Sequence, residues 1–419
     1  MTPAEKSARS TWAPLIHTWF RWLWIANIVS NIGTWMQNVG AAWLMTGLAH
    51  SALLVALVQT ATNLPVFLLG LPAGAVADIV DRRRLLIVTQ SWMLAAAGVL
   101  GILTLAHATG PWTLLWLTFA LGLGSTVNAP AWQAIMSELV PKKDLPGAIA
   151  LNSMGFNLAR SIGPALGGLV VAAVGGGWAF MLNAISFVGV VIVLYLWKRE
   201  PEHVPSTPET IGAAIMAGIR YIRVATRMHA VLARSATFII SASALWSLLP
   251  LVAKVELGSG SGGFGLLLGC LGAGSILGAL MIARLRFRFS FEIIATAAVA
   301  LFGLVNIALS YLANFGAVAV ALLAGGVAWM SANSTLNTAA QISLPPWVRA
   351  RGLAVYLLGF QGAMALGSMI WGEIATRLGL RATLLIAGIA LLAAAAATSR
   401  LRLTGAPEVD ATPIKGSTA

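Results

Sequence analysis

Charge is scarce in this chain. Aspartate, glutamate, lysine and arginine make up 9% of its 419 residues, against about 25% in a typical soluble domain, which excludes an ordinary water-soluble globule. Cysteine occurs once, as Cys270 inside an apolar, glycine-rich run, so an intrachain disulfide and a thiolate metal cluster are both excluded. Histidine occurs five times, at 17, 50, 107, 203 and 229, and never in a cluster. No GxSxG, HExxH or Walker-type loop is present, so the common nucleophilic, zinc-hydrolytic and nucleotide-hydrolysing motifs are lacking. Neither an enzyme nor a metal or organic cofactor is expected.

What remains is apolar. Hydrophobic residues make up 58% of the chain and fall in runs of about 20 residues, the length that crosses a bilayer as a helix. Windows of this length lie at 20–46, 52–77, 85–107, 112–137, 148–174 and 178–197, and again at 230–254, 263–284, 291–313, 316–340, 350–376 and 381–399. The fold class expected is therefore an all-α membrane protein of twelve transmembrane helices. The net charge of +13 sits in short clusters between the apolar runs, which reads as topology and gives no support to nucleic-acid binding. Placing the N-terminus in the cytoplasm puts Lys6, Arg9, Arg21, Arg82 to Arg84, Lys142, Lys143, Arg284 to Arg288, Arg349 and Arg351 inside, with only Lys254, Arg377 and Arg381 outside. Both termini are then cytoplasmic. The first 18 residues are polar and mixed, so no removable signal peptide is expected and the first helix serves as its own insertion signal.

The chain also repeats itself. Gly74–Arg84, GAVADIVDRRR, recurs 204 positions later as Gly278–Arg288, GALMIARLRFR, with the leading Gly-Ala and two of three arginines in register. The same offset carries Pro141 to Pro345, Gly155 to Gly359, Phe156 to Phe360, Gly163 to Gly367 and Gly168 to Gly372. Two parallel halves of membrane helices are a layout used by secondary transporters. The domains expected are a cytoplasmic segment 1–19, a six-helix bundle 20–197, a cytoplasmic connection 198–229, a second six-helix bundle 230–399 and a disordered cytoplasmic tail 400–419. Within the connection, IGAAIMAGIRYIRVATR is basic and amphipathic, and reads as an element lying on the inner membrane surface.

Two motifs connect this layout to a known family. Gly74, Asp78 and the arginines 82, 83 and 84 resemble the helix 2 to helix 3 loop of the major facilitator superfamily. FNLARSIGPALGG, with Gly163, Pro164, Gly167 and Gly168, resembles the helix-5 GPxxGG motif of its drug-proton exporters. More narrowly, PAGAVADIVDRRR, the run around Asn152, Asn157 and Arg160, and LGFQGAMALGSMIWG in helix 11 resemble the transmembrane secretion effector group, which includes enterobactin exporter-like transporters. The resemblance implies a fold of two pseudo-symmetric six-helix bundles, and for Asp78 and its arginines a conformational latch. An Asp at one helix end can sit against the positive N-terminus of another, here helix 11, and leave it when the protein opens. The chain departs from the classical drug antiporters in having no arginine between Trp112 and Met136.

Arg160 is a basic residue deep in an expected span, where insertion costs about 2.5–3.5 kcal/mol, so it faces the interior. Either it serves an anionic substrate or coupling, or it pairs structurally with helix carbonyls or Asn157. For proton coupling the candidates are Asp78, Glu138 and Glu373, with Asp144 beside them. Glu373 has Arg377 four residues on, and an ion pair is the competing reading. In the superfamily helices 1, 4, 7 and 10 line the central path. Asn27, Asn31, Trp35 and Asn38 form one polar stripe, and Trp329, Asn333, Asn337 and Gln341 another, with Asn128, Trp132 and Gln133 on helix 4 and Trp246 on helix 7. These line a substrate cavity, or else they are interhelical glue. Trp12, Trp19, Trp22, Trp112, Trp197 and Trp347 lie at span ends and read as interfacial anchors. The function expected is export of a small amphipathic compound, drug or siderophore, across the bacterial inner membrane by alternating access coupled to proton entry. The alternatives are an uptake symporter and a lipid flippase. Expected partners are the small-molecule substrate, protons and membrane lipids, with no nucleic acid, and the protein is expected to be a monomer.

Overall fold

The structure is a computed structural model that describes residues 11–198, 225–345 and 348–403. Most of the connection 198–229, nearly all of the tail and Trp347 lie outside the described residues. A short 3-10 turn, Ala13–Ile16, leads into α1 (Thr18–Leu48). There follow α2 (Ala52–Ile79), α3 (Arg82–Leu105), α4 (Pro111–Leu139), α5 (Leu145–Val174) and α6 (Gly176–Leu196). The second half holds α7 (Thr226–Leu251), extended by a π turn at Val252–Glu256, and α8 (Ser261–Arg288), α9 (Phe291–Tyr311), α10 (Phe315–Ile342), α11 (Arg349–Leu378) and α12 (Leu380–Thr398).

Twelve long helices among the described residues thus stand where twelve spans are expected, their ends within a few residues of the apolar windows. Among the described residues, eleven are long and apolar enough to cross a membrane. α1 is not among these eleven, because Asn27, Ser30, Asn31, Thr34, Gln37 and Asn38 recur along it and dilute its apolar character. Side-chain oxygens close several helix starts: Ser51 accepts from the Leu53 amide at 3.2 Å, Asp81 from Arg84, Ser290 from Ile293 and Asn314 from Ala317. Gly175 and Gly379, which the 204-residue offset relates, join α5 to α6 and α11 to α12 at φ of +90° and +83°. A side chain at either would be strained there.

The internal repeat is also a repeat of contacts. α1 packs on α5 and α6, as α7 packs on α11 and α12; α2 packs on α4, as α8 does on α10. α3 lies against α4 and α6, and α9 against α10 and α12. Across the halves, α2 meets α11 and α5 meets α8, the same pairing used twice under the offset. Glycines permit it. A Cβ on Gly163 would lie 2.5 Å from Trp35 Cβ on α1, and its counterpart Gly367 faces Ser243 and Ile240 on α7. One on Gly372 would lie 2.6 Å from Ala56 on α2. In lipid, where apolar surface drives helices together only weakly, such close approach is what lets them associate.

Candidate functional site

Along α5 and α8, close approaches run from Ala172 and Gly262 down to Ser161 and Gly272. At that depth lies a small cavity of about 20 Å³ lined by Trp35, Arg160, Pro164, Trp246, Leu268, Gly272 and Ser275, room for about one water. Its walls come from α1, α5, α7 and α8, so it lies between the two halves of the repeat. Arg160 has no hydrogen bond or ion pair among the described residues. The pairing with Asn157 considered above is not made: Asn157 is exposed and donates to its own helix, to the Ser153 carbonyl at 2.8 Å. The indole N–H of Trp246 is buried with no acceptor. Two donors, one of them charged, therefore share a wall with no acceptor supplied to either among the described residues.

Behind Trp246 stands an aromatic block. The Trp246 and Trp329 rings meet edge to face at 5.2 Å, and Trp329 is surrounded by Phe238 at 5.6 Å, Phe302 at 5.8 Å and Phe360 at 6.3 Å. Trp329 is buried and supports Trp246 rather than lining the cavity itself.

The amide stripes do not converge on that cavity. Asn27 Nδ2 and Trp132 Nε1 both donate to Asn152 Oδ1, at 3.4 and 3.3 Å, tying α1, α4 and α5 together. Asn128 Oδ1 accepts from Thr89 and Gln90 of α3, each at 3.1 Å. Asn31 and Asn333 donate to carbonyls four residues back, those of Asn27 and Trp329. Gln341 donates to Asn337 at 2.6 Å. Asn38 is partly buried and Gln133 is exposed. In this conformation the glue reading describes Asn27, Asn128 and Trp132, while Trp35, Arg160 and Trp246 are brought together. The sequence reading missed Gln37, whose Oε1 accepts from Asn183 Nδ2 of α6 at 2.6 Å with both side chains buried. The signal was present, since Asn183 is the one amide in an otherwise apolar α6.

In the arginine-rich loop, Gly74 faces open space and Asp78 is exposed. The helix start is held by Asp81, which accepts from the Arg84 amide at 2.8 Å. Arg82 pairs with Glu138 of α4 at 2.8 Å. Arg83 donates to the Leu194 and Tyr195 carbonyls at the end of α6, at 2.7 and 2.8 Å, where the helix dipole favours a cation. Glu373 pairs with Arg377 at 2.5 Å; Arg377 is exposed and Glu373 partly buried. Asp144 is buried and faces His17 at 2.9 Å.

At the other end of the helices the halves are bonded to each other. Lys254 Nζ donates to the Thr46 carbonyl at 2.6 Å, Thr376 Oγ1 accepts from the Leu53 amide at 3.0 Å, and Trp43 stacks on Phe264 at 6.0 Å. Thr60 donates to the Ala365 carbonyl at 2.9 Å. Each cross-half hydrogen bond of this set lies away from the arginine-rich loops.

The profile of a family described as transmembrane secretion effectors matches residues 9–417. The chain belongs to that family, within the major facilitator superfamily. It is a multi-pass membrane transporter. Among curated relatives, the multidrug efflux pump Tap of Mycobacterium tuberculosis is 25% identical over 404 residues, 93% of this chain and 94% of that protein. The staphyloferrin A transporter of Staphylococcus aureus is 32% identical over 167 residues, 39% of this chain and 42% of that one. The enterobactin exporter of Salmonella typhi is 26% identical over 276 residues, 64% of each chain. Among solved structures, a bacterial homologue of the human lysosomal transporter Spinster in an inward-facing, occupied conformation aligns with a TM-score of 0.73 at 16% identity, covering 92% of this chain and 97% of that one. The nucleoside transporter NupG aligns with a TM-score of 0.69 at 13% identity, covering 92% and 99%. These likenesses establish the fold of the transmembrane secretion effector chain.

Proposed function

We propose that the protein exports a small amphipathic compound of the drug or siderophore class across the bacterial inner membrane by alternating access, coupled to proton entry. Its twelve helices form two pseudo-symmetric six-helix bundles, 20–197 and 230–399, joined by the cytoplasmic connection 198–229. Both termini face the cytoplasm, and one copy is the working unit. The observation that carries this reading is the position of the cavity. Arg160, Trp35 and Trp246 lie between the halves, below a seam bonded through Thr46, Lys254, Leu53 and Thr376 on the side away from the arginine clusters. With those clusters inside, this is a transporter sealed outward. A rocking motion that breaks the seam and closes the arginine-rich side would expose the same residues to the outside. The efflux and siderophore-export functions named for the relatives support the direction and the substrate class.

The test is accumulation of a panel of dyes, antibiotics and catechol siderophores in cells with and without the protein, each with and without an uncoupler. Lower accumulation that the uncoupler abolishes supports proton-driven export. No change for any compound turns the reading toward lipid movement or uptake, which inverted vesicles and lipid-headgroup competition then separate.

A further inference from the structure

The cavity at Arg160 is short of acceptors. A guanidinium carries five N–H donors and no acceptor, and an indole carries one donor; the lining residues, Trp35, Pro164, Leu268, Gly272 and Ser275 beside Arg160 and Trp246, offer one side-chain hydroxyl between them. Ser275 turns its hydroxyl hydrogen to the Leu271 carbonyl of its own helix at 3.0 Å, and its oxygen accepts from neither Arg160 nor the Trp246 N–H, which is left without a partner. The charge of Arg160 meets no carboxylate among the described residues: the four acids described in this half lie at its inner end, Asp78 exposed, Asp81 on the Arg84 amide, Glu138 with Arg82 and Asp144 with His17. A buried donor left unmatched costs most of its desolvation free energy, and a cation in a membrane span is retained where it has a task.

We infer that Arg160 and the Trp246 N–H form a binding subsite for a carboxylate group of the transported compound, the one-water cavity between them widening on binding so that the rings of Trp35 and Trp246 flank its apolar portion. This rests on the export reading above and narrows its substrate class to amphipathic acids and zwitterions. The planar guanidinium fork matches a carboxylate, and the indole supplies a further donor from the opposite half of the repeat. A ligand held this way contacts both halves at once, α5 through Arg160 and α7 through Trp246, so it bridges the elements that alternating access must move relative to each other.

The purified full-length protein in nanodiscs is titrated by fluorescence anisotropy with rhodamine B, which carries a free carboxylate, and with its ethyl ester, which does not. Wild type is expected to favour the carboxylate by about tenfold or more, the range of a hydrogen bond to a charged group. Arg160→Gln brings that preference to about one, Arg160→Lys keeps part of it, and Trp246→Phe, which preserves a ring and removes the N–H, lowers it about threefold. Equal affinity of wild type for both dyes, or a loss in Arg160→Gln that is equal for both, overturns the subsite while leaving export intact. Binding of neither dye counts against the amphipathic-substrate reading. The subsite is then decided by the thermal midpoint in millimolar benzoate against benzamide at matched ionic strength: a rise with benzoate alone that Arg160→Gln removes supports it, and no rise overturns it.

Discussion

Gly168 of α5 and Gly265 of α8 lie backbone against backbone: a Cβ added to either would stand 2.7 Å from the Cα of the other. Neither neighbour is a flexible side chain that can swing aside, so any larger residue must separate the helices. Overpacking of this kind costs about 1–3 kcal/mol, and here it acts on the contact between halves. Gly168→Val is expected to lower transport about tenfold or more at normal membrane expression, read from dye accumulation. Gly74→Ala, which meets open space, is expected to stay within about twofold.

Asn183 and Gln37 form a second joint, within the first half. Both are buried, at 1% and 5% exposure, and replacing Asn183 by Leu would leave Gln37 without its partner. Interhelical hydrogen bonds in membrane proteins contribute about 0.6 kcal/mol on average and up to about 1.7, to which the unmatched amide adds. Asn183→Leu is expected to lower the thermal midpoint of the detergent-solubilised protein, and Gln37→Leu/Asn183→Leu to recover part of the loss. An additive double variant would show that the two amides do not act together.

How far the sequence could be read depended on whether a feature belongs to one helix or to two. The apolar windows placed all twelve long helices, and the offset that pairs Gly163 with Gly367 and Gly168 with Gly372 reappears as paired helix contacts. Arg160 was legible because a cation in a span stands out against its surroundings. Partner choice was not legible. The stripe of Asn27 and Asn31 marks the polar side of α1, but periodicity cannot say that Asn27 would share Asn152 with Trp132 while Asn31 bonds its own helix. The motif pointed to Asp78, which is exposed here, but not to Asp81, which caps the start of α3, a role fixed by where α2 ends and α3 begins. The three cations expected outside, Lys254, Arg377 and Arg381, meet the Thr46 carbonyl, Glu373 and Glu256, pairings that depend on the tertiary arrangement for all but Arg377.

Glu373 was a proton candidate, and its surroundings argue against a coupling role. It is 40% exposed by side chain and paired with Arg377 four residues on, an arrangement worth about 0.3–0.5 kcal/mol. Glu373→Gln is expected to leave uncoupler-sensitive transport within about twofold of wild type. Glu138 differs, because its Arg82 partner comes from another helix and its side chain is 17% exposed. Glu138→Gln is expected to impair transport, and the charge exchange Arg82→Glu/Glu138→Arg to restore part of it. Loss of proton-driven transport in Glu373→Gln with unchanged binding would return Glu373 to the coupling path.

Ser51 and Thr376 offer the most direct test of a moving seam. Ser51 caps α2, Thr376 lies near the end of α11, and their hydroxyls are 3.1 Å apart, so the two Cβ atoms are within about 6 Å and small shifts bring them to the separation of a disulfide, about 3.5–4.5 Å. The chain has one cysteine, Cys270, so a Cys270→Ser background carries no competing thiol. In that background Ser51→Cys/Thr376→Cys is expected to cross-link under mild oxidation and to stop transport, with recovery on reduction. Each single variant should transport under the same oxidation. If the cross-linked protein still transports at the reduced rate, the α2–α11 seam stays closed throughout the cycle, and access to the outside must open between α5 and α8 alone.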